Sequence, residues 1–297
     1  MHLRSVELFV DIAQQRSFSK AATLHGVSQS AASQAVQALE KALGTELIDR
    51  SQRPLELTDA GRLYFEGCRD VLKRYRQVED AVLRLQHRVV GSVRVAAIYS
   101  VGLLQMETYT ERFERRYPDA KLEIAYLHPD EVYERLRDDR ADLGLVSFPK
   151  HSGEFEAVPW QSQPMVVALA PKHRLADRES VCLKDLSGEA FVGFTQELTI
   201  GKEVDKALRK ARVQVDMVSR FDNVETIKQA VRCGTGVSLL PRPTLREEVA
   251  LGTLRAVPLD DVKLERPLGI VRLKHKSLST AEQCLIDLLR EDPTAAG

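Results

Sequence analysis

Near the N-terminus, Ser28, Gln29, Ser30, Ser33, Gln34 and Gln37 carry side chains suited to touching the edges of base pairs. The last five stand at offsets 0, 1, 4, 5 and 8, which places them on one face of a helix. A merely solvated helix face is usually rich in Lys and Glu. A face of short hydroxyls and amides fits close approach to DNA, because Gln pairs bidentately with adenine N6 and N7 and Ser donates or accepts. Ser28 stands where an N-cap belongs, and the backbone N–H groups of Ser28–Ser30 can meet a phosphate. Arg50 and Arg53 flank a polar turn stiffened by Pro54, where they are placed to hold phosphates.

These residues need a scaffold, and the flanking sequence supplies one. Val6, Phe9, Val10 and Ala13 recur at helical spacing in a first helix. Ser19 can cap a second short helix, Lys20–His25, that buries Ala21, Ala22 and Leu24 before Gly26 breaks it. A third helix, from Ser28 to about Leu43, buries Ala32, Val36, Leu39 and Leu43, and Gly44 closes it. Helix, Gly-containing turn, helix is the helix-turn-helix order, whose second helix enters the major groove. Leu47–Thr58 then reads as two short extended pieces around a turn, a small β-wing. A long helix follows to about Arg88. Its apolar residues Tyr64, Cys68, Val71, Tyr75, Val78, Val82, Leu85 and Val89 are spaced alternately four and three apart, a heptad seam. That seam either pairs with a second copy of the chain or lies on its own domain.

Beyond Gly91-Ser92 strands alternate with helices, which predicts α/β units with mainly parallel sheets in two lobes. Ligands in such folds sit beyond the C-terminal ends of strands. By that rule His128, Ser147, Phe148, Thr195, Gln196 and Asn223 are candidate ligand contacts. Ser100 follows the strand Val93–Ile98, where it can cap the next helix while the N–H groups of Val101 and Gly102 point at an anion. Trp160 either walls such a cleft or serves packing. Hydroxyls and helix N-termini favour a small anion, a carboxylate or an inorganic oxyanion. Few Lys or Arg stand at these junctions, which disfavours a polyanion.

The chain has 297 residues, enough for two or three domains, with 43% hydrophobic and 29% charged residues and a formal net charge of zero. Residues 1–90 hold 13 Lys/Arg against 11 Asp/Glu, so DNA affinity must come from placed groups rather than a bulk field. Four separated cysteines, Cys68, Cys182, Cys233 and Cys284, show no metal-ligand spacing; they read as buried reduced thiols, with a redox-sensing pair as the alternative. No GxSxG, HExxH, Walker loop or strand-linked GxGxxG appears. That argues against the rival reading of an enzyme, and the lack of an export signal argues against a solute-binding protein. No metal or resident cofactor is expected. No apolar run approaches a membrane span, and a cytoplasmic location is expected.

The run Ser17–Ala22, the stretch Leu24–Ser33, then Leu39-Glu40, Leu43-Gly44, Leu47, Arg50 and Pro54–Gly61 resemble the N-terminal signature of LysR-type transcriptional regulators. Phe113–Pro118, Ala141–Val146 and Gly234–Pro241 are similar to landmarks further along that family. The resemblance implies a winged helix-turn-helix domain over 1–58 and a linker and dimerisation helix over 59–90. It also implies a two-lobed effector domain over 91–297, like a periplasmic binding protein. Lobe I would take about 91–162 and 268–297, and lobe II about 163–267. It implies double-stranded DNA and a small-molecule effector as partners, with Ser100 as the cleft hydroxyl. It further implies a homodimer through the linker, assembled into a homotetramer, with RNA polymerase a candidate partner. Ser30 stands where Pro is common in the family, Ala32 where a larger aliphatic is common and Gln34 where Arg is frequent, so base preference cannot be borrowed from relatives.

Overall fold

The computed structural model describes residues 3–51, 54–84, 89–150 and 152–291. The chain forms two compact units, residues 1–87 and 88–297. Arg53 and Leu85, expected at the wing and in the heptad seam, lie outside the described residues.

The first unit runs α1 (Leu3–Gln15), α2 (Phe18–Leu24), α3 (Gln29–Leu43), β1 (Ile48–Asp49), β2 (Glu56–Leu57) and α4 (Asp59–Arg84). Phe9, Ile12, Ala21, Ala32 and Val36 are fully buried where the first three helices meet. Ser17, rather than Ser19, caps α2 by accepting from the Lys20 N–H at 3.3 Å. Leu24 and Leu43, expected in the core, are 66% and 42% exposed. Each ends its helix, and beyond Leu43 the chain turns away at Gly44 in the left-handed region, φ +69°. β1 and β2 pair antiparallel, Ile48 opposite Leu57, as the wing.

The apolar stripe of α4 has two halves with different surroundings. Tyr64, Phe65, Cys68 and Leu72 pack on the core of this unit, Tyr64 with its ring 5.4 Å from that of Phe9. Tyr64 and Cys68 of the heptad stripe thus lie against their own domain. Val71, Tyr75, Val78 and Val82 remain 45–58% exposed.

The second unit runs β3 (Gly91–Ile98), α5 (Tyr99–Arg116), β4 (Ala120–Leu127), α6 (Pro129–Arg137), β5 (Leu143–Ser147), β6 (Phe155–Leu169), β7 (Ala190–Phe194), α7 (Thr199–Lys210), β8 (Asp216–Phe221), α8 (Val224–Arg232), β9 (Ser238–Pro241), α9 (Arg246–Ala250), β10 (Arg255–Pro258), β11 (Glu265–Leu273) and α10 (Thr280–Arg290). It has two cores. One gathers residues between Val93 and Ala157 with Leu268–Leu289; the other gathers residues between Met165 and Val257. β3 pairs parallel with β4 and β5, and β7 pairs parallel with β8. The long antiparallel pair β6 and β11 ties the lobes together: β6 pairs with β11 through Pro164, then with β9 and β10 from Met165 on.

Both crossing strands are longer than their sequences predict. The apolar runs predict only Met165–Ala170 for β6 and a start at Leu268 for β11. Pro159, Pro164 and Pro267 disguise the remainder, since proline donates no ladder hydrogen bond. The register shift between Leu268 and Gly269 leaves Trp160 unpaired, with Gln161 opposite Leu268 and Pro159 opposite Gly269. Trp160 donates to the Leu289 carbonyl at 2.6 Å and meets Tyr109 edge-on, so it serves packing.

At the end of lobe I opposite the C-termini of its parallel strands, a buried charge cluster binds three segments. Asp142 accepts from the backbone N–H of Arg94 at 2.9 Å and from its guanidinium at 2.8 and 3.1 Å. It also accepts from Lys276 Nζ at 2.6 Å, which reaches Asp139 at the same distance. The Ala141–Val146 run is thereby fixed between the start of β3 and the loop after β11.

Candidate functional site

Ser28 caps α3, its Oγ accepting from the Ala31 N–H at 3.1 Å and lying 2.9 Å from Ser30 Oγ. Gln29, Ser30, Gln34 and Gln37 are exposed and Ser33 half-buried, while Ala32 belongs to the core. Gln29 Oε1 accepts from Ser19 Oγ at 3.1 Å. This leaves its amide nitrogen to donate and ties α2 to the exposed face of α3.

Arg50, expected to hold a phosphate, is tied within its own unit to α3. Its guanidinium makes a two-armed ion pair with Glu40, at 2.7 and 3.3 Å. Glu40 Oε1 also accepts from the Leu47 and Ile48 N–H groups at 2.9 and 3.3 Å. Burial pushes the Glu40 carboxyl up, but Arg50 and the two amides outweigh it and hold the group below its usual range. The signature residues Leu39-Glu40, Leu47 and Arg50 are therefore a fastening of the wing onto α3. Replacing Glu40 with Ala strands two backbone donors and a guanidinium, and is expected to cost about 2–4 kcal/mol. Chemical denaturation of the full chain followed by circular dichroism checks this.

In the second unit, strand ends and helix starts converge on a cleft of about 410 Å³. Ser100, His128 and Asn223 line it. Asn223 also caps α8, accepting from the Thr226 N–H at 2.8 Å. Other expected contacts lie elsewhere. Ser147 and Phe148 are outside the lining; Ser147 pairs with Leu268, and Phe148 packs on the lobe II core with its N–H on the Pro267 carbonyl. Thr195 is also outside it, donating through its N–H to the Phe221 carbonyl. Gln196 is held by Asp205 at 3.2 Å, and Phe194, Leu198 and Ile200 face the cleft instead.

Ser100 does not cap its helix. α5 begins at Tyr99 with Ile98 as an N-cap that makes no side-chain bond. The unpaired N–H groups therefore belong to Tyr99, Ser100 and Val101, and the Gly102 N–H is donated within the helix. Val101 itself is fully buried in lobe I.

Ser100 Oγ instead accepts from Arg266 Nη1 at 2.9 Å. Arg266 is the site residue that sequence reasoning missed. It lies on β11, 2% exposed, and its Nε and Nη2 both donate to Gln163 Oε1 on β6. Among the described residues it has no carboxylate partner, and burial pushes its pKa down to about 9. Arg266-Pro267 at the return crossing between lobes is the one signal for it in the sequence, and the proline disguises the strand that carries it.

All four cysteines are free. Cys233 is exposed and the other three half-buried, so the expectation of buried thiols is corrected. Among the described residues no helix is long and apolar enough to cross a membrane.

Two family models match the chain. Residues 3–62 match the bacterial regulatory helix-turn-helix protein, lysR family, and residues 86–293 match the LysR substrate binding domain. The uncharacterized HTH-type transcriptional regulator YfeR of Shigella flexneri is 31% identical over 297 residues, covering 99% of this chain and 94% of that protein. Full-length OxyR from Pseudomonas aeruginosa shares the fold, with a TM-score of 0.74 at 21% identity over 98% of this chain and 93% of that one. The Synechocystis CcmR regulatory domain, solved in complex with 2-PG, has a TM-score of 0.61 at 25% identity and covers 67% of this chain and 96% of that one. With both of its units matched, and with the wing fastening and two-lobed cleft in place, the chain belongs to the LysR family of bacterial transcriptional regulators.

Proposed function

We propose that this regulator reads DNA through Gln34, Gln37, Gln29 and the serines of α3, as a dimer formed along the distal half of α4. The observation that carries the reading is the exposed, uncharged amide and hydroxyl face of α3, held by a wing-to-helix ion pair rather than by packing alone. The exposed residues Val71, Tyr75, Val78 and Val82 form a stripe that a second copy would cover. Two recognition helices would then meet half-sites about one DNA turn, or a multiple, apart. Family membership supports a tetramer of paired dimers, contact with RNA polymerase and action in the cytoplasm as part of this reading. No catalytic step is assigned to the chain.

A small molecule in the cleft of the second unit modulates DNA binding or bending. It does so by differing in affinity for two arrangements of the assembly, since equal affinity shifts nothing. The 2-PG carried by the CcmR regulatory domain supports an acidic ligand in this cleft.

The test of the reading face is Gln34→Ala, measured by fluorescence anisotropy on the tightest duplex and on a scrambled one. Loss of a bidentate amide contact should weaken the specific complex by about 1–3 kcal/mol, roughly tenfold to a hundredfold, and leave the scrambled complex unchanged. Equal weakening on both duplexes would assign Gln34 to the DNA backbone.

A further inference from the structure

Arg266 differs from the other well-buried cations of the second unit. Arg94, Lys228 and Lys276 each meet at least one carboxylate. Arg266 meets only the neutral oxygens of Gln163 and Ser100. Of its five N–H donors, three are engaged among the described residues, and the residue lines the cleft. A buried cation without a counter-charge is unfavourable, and the condition is relieved when an anion arrives.

The surroundings favour that anion. Four helices, two from each lobe, start at the cleft wall: α5 at Tyr99, α6 at Pro129, α7 just after Leu198 and α8 just after Asn223. α5, α6 and α7 begin without a side-chain cap, which leaves their first N–H groups to a ligand or water. The charge at the site is nonetheless small. Among the described residues Arg266 is the sole Lys or Arg in the lining, and the acids Asp222 and Glu225 stand at the same wall. Glu225 shares Lys228 with Glu248, at 2.9 and 2.8 Å, and among the described residues Asp222 accepts from the Asn223 amide alone. A second negative charge on the ligand would face Asp222 without a cation to offset it.

The space is too large for an inorganic ion. At about 30 Å³ per water, 410 Å³ corresponds to roughly a dozen non-hydrogen atoms. Ile98, Leu127, Phe194, Ile200 and Val224 give much of the wall hydrocarbon character.

Resting on the reading of this cleft as the effector site, we propose that it takes an organic monoanion. The ligand is a small monocarboxylate with an aliphatic or aromatic body, its carboxylate on Arg266 and the α5 N-terminus and its body between Phe194, Leu198 and Ile200. A phosphate ester or a bare oxyanion is not the cognate class.

The experiment is titration calorimetry of the full-length protein with a fixed set of probes. The set is monocarboxylates from acetate to decanoate, benzoate, 1-naphthoate, the neutral isostere benzamide, sulfate and 2-phosphoglycolate. Affinity should rise about threefold to fourfold per added methylene until the cleft is full. Benzoate should bind at least tenfold tighter than benzamide, and Arg266→Gln should abolish that difference. Tighter binding of sulfate or 2-phosphoglycolate than of every monocarboxylate would overturn the proposal, as would equal affinity for benzoate and benzamide. So would no binding of any carboxylate at millimolar concentration. The charge comparison is made on the unaltered protein, so it stands even where Arg266→Gln does not fold. DNA binding by the same preparation separates failure of the ligand class from failure of the regulator reading.

Discussion

Replacing Asp142 with Asn is expected to destabilise the second unit by about 3–5 kcal/mol, the range for removing one member of a buried ion cluster. Asp142 neutralises Arg94 and Lys276 together. The amide would leave both cations with only Asp139, which lies 3.7 Å from Arg94 and 2.6 Å from Lys276. Burial alone would push the Asp142 carboxyl up. The Arg94 hydrogen bonds and the nearby Lys276 charge outweigh it and hold the group down at about 2, against 3.8 for an ordinary aspartate. Since the folded value is the lower one, this contribution is complete above about pH 4 and is lost as pH falls towards 2. Urea midpoints of the full chain between pH 2 and 6 should show that loss, and Asp142→Asn should flatten it. A midpoint for Asp142→Asn equal to the unaltered protein's at pH 7 would remove the cluster from the account of how lobe I is held.

The second large effect is expected at Gly61, in the first turn of α4. A Cβ added there would lie 1.9 Å from the Leu47 carbonyl oxygen and 2.8 Å from its carbonyl carbon. Both are backbone atoms next to the Glu40 fastening, so neither can yield without moving the wing. Thr58 holds the same place from the other side: its Oγ1 accepts from the Gly61 N–H at 2.9 Å and donates to the Glu46 carbonyl at 2.7 Å. Gly61→Ala should cost about 3 kcal/mol, at the high end for overpacking. It should also weaken specific DNA binding at least tenfold while leaving ligand binding in the second unit unchanged. Calorimetry with the tightest carboxylate and anisotropy with the tightest duplex read the two effects separately.

These positions also mark what the amino-acid sequence reveals and what it hides. The reading face of α3 is legible because it rests on local rules: a serine cap, a 3.6-residue period and a glycine stop within sixteen residues. The Thr58 cap and the α10 limits, Thr280–Arg290, are legible for the same reason. The pairing of Arg50 with Glu40 is hidden because an arginine beside a wing satisfies two roles equally in sequence. Only the distance to Glu40, ten residues back, decides between them. The two surroundings of α4 are hidden because one heptad stripe serves two surfaces, and nothing in its spacing marks where the change occurs between Cys68 and Val71.

The cleft is harder to foresee. The rule that ligands lie beyond strand ends leads to His128 and Asn223, but after β7 it points one turn too early. Thr195 gives its backbone N–H to Phe221 and Gln196 its side-chain amide to Asp205, and Leu198 and Ile200 line the wall instead. Arg266 escapes because its partners are 103 and 166 residues away. Its place in the lining depends on two proline-containing strands crossing between the lobes.

The central claim is sequence-specific reading of DNA by a pair of α3 helices, and selection of duplexes from a random library by the full-length protein tests it most directly. The account predicts enrichment of a two-fold-related motif whose halves lie one helical turn, or a multiple of it, apart, and loss of that motif with Gln34→Ala. Enrichment of a single unpaired half-site, or a motif that survives Gln34→Ala, Gln37→Ala and Ser33→Ala together, would contradict it.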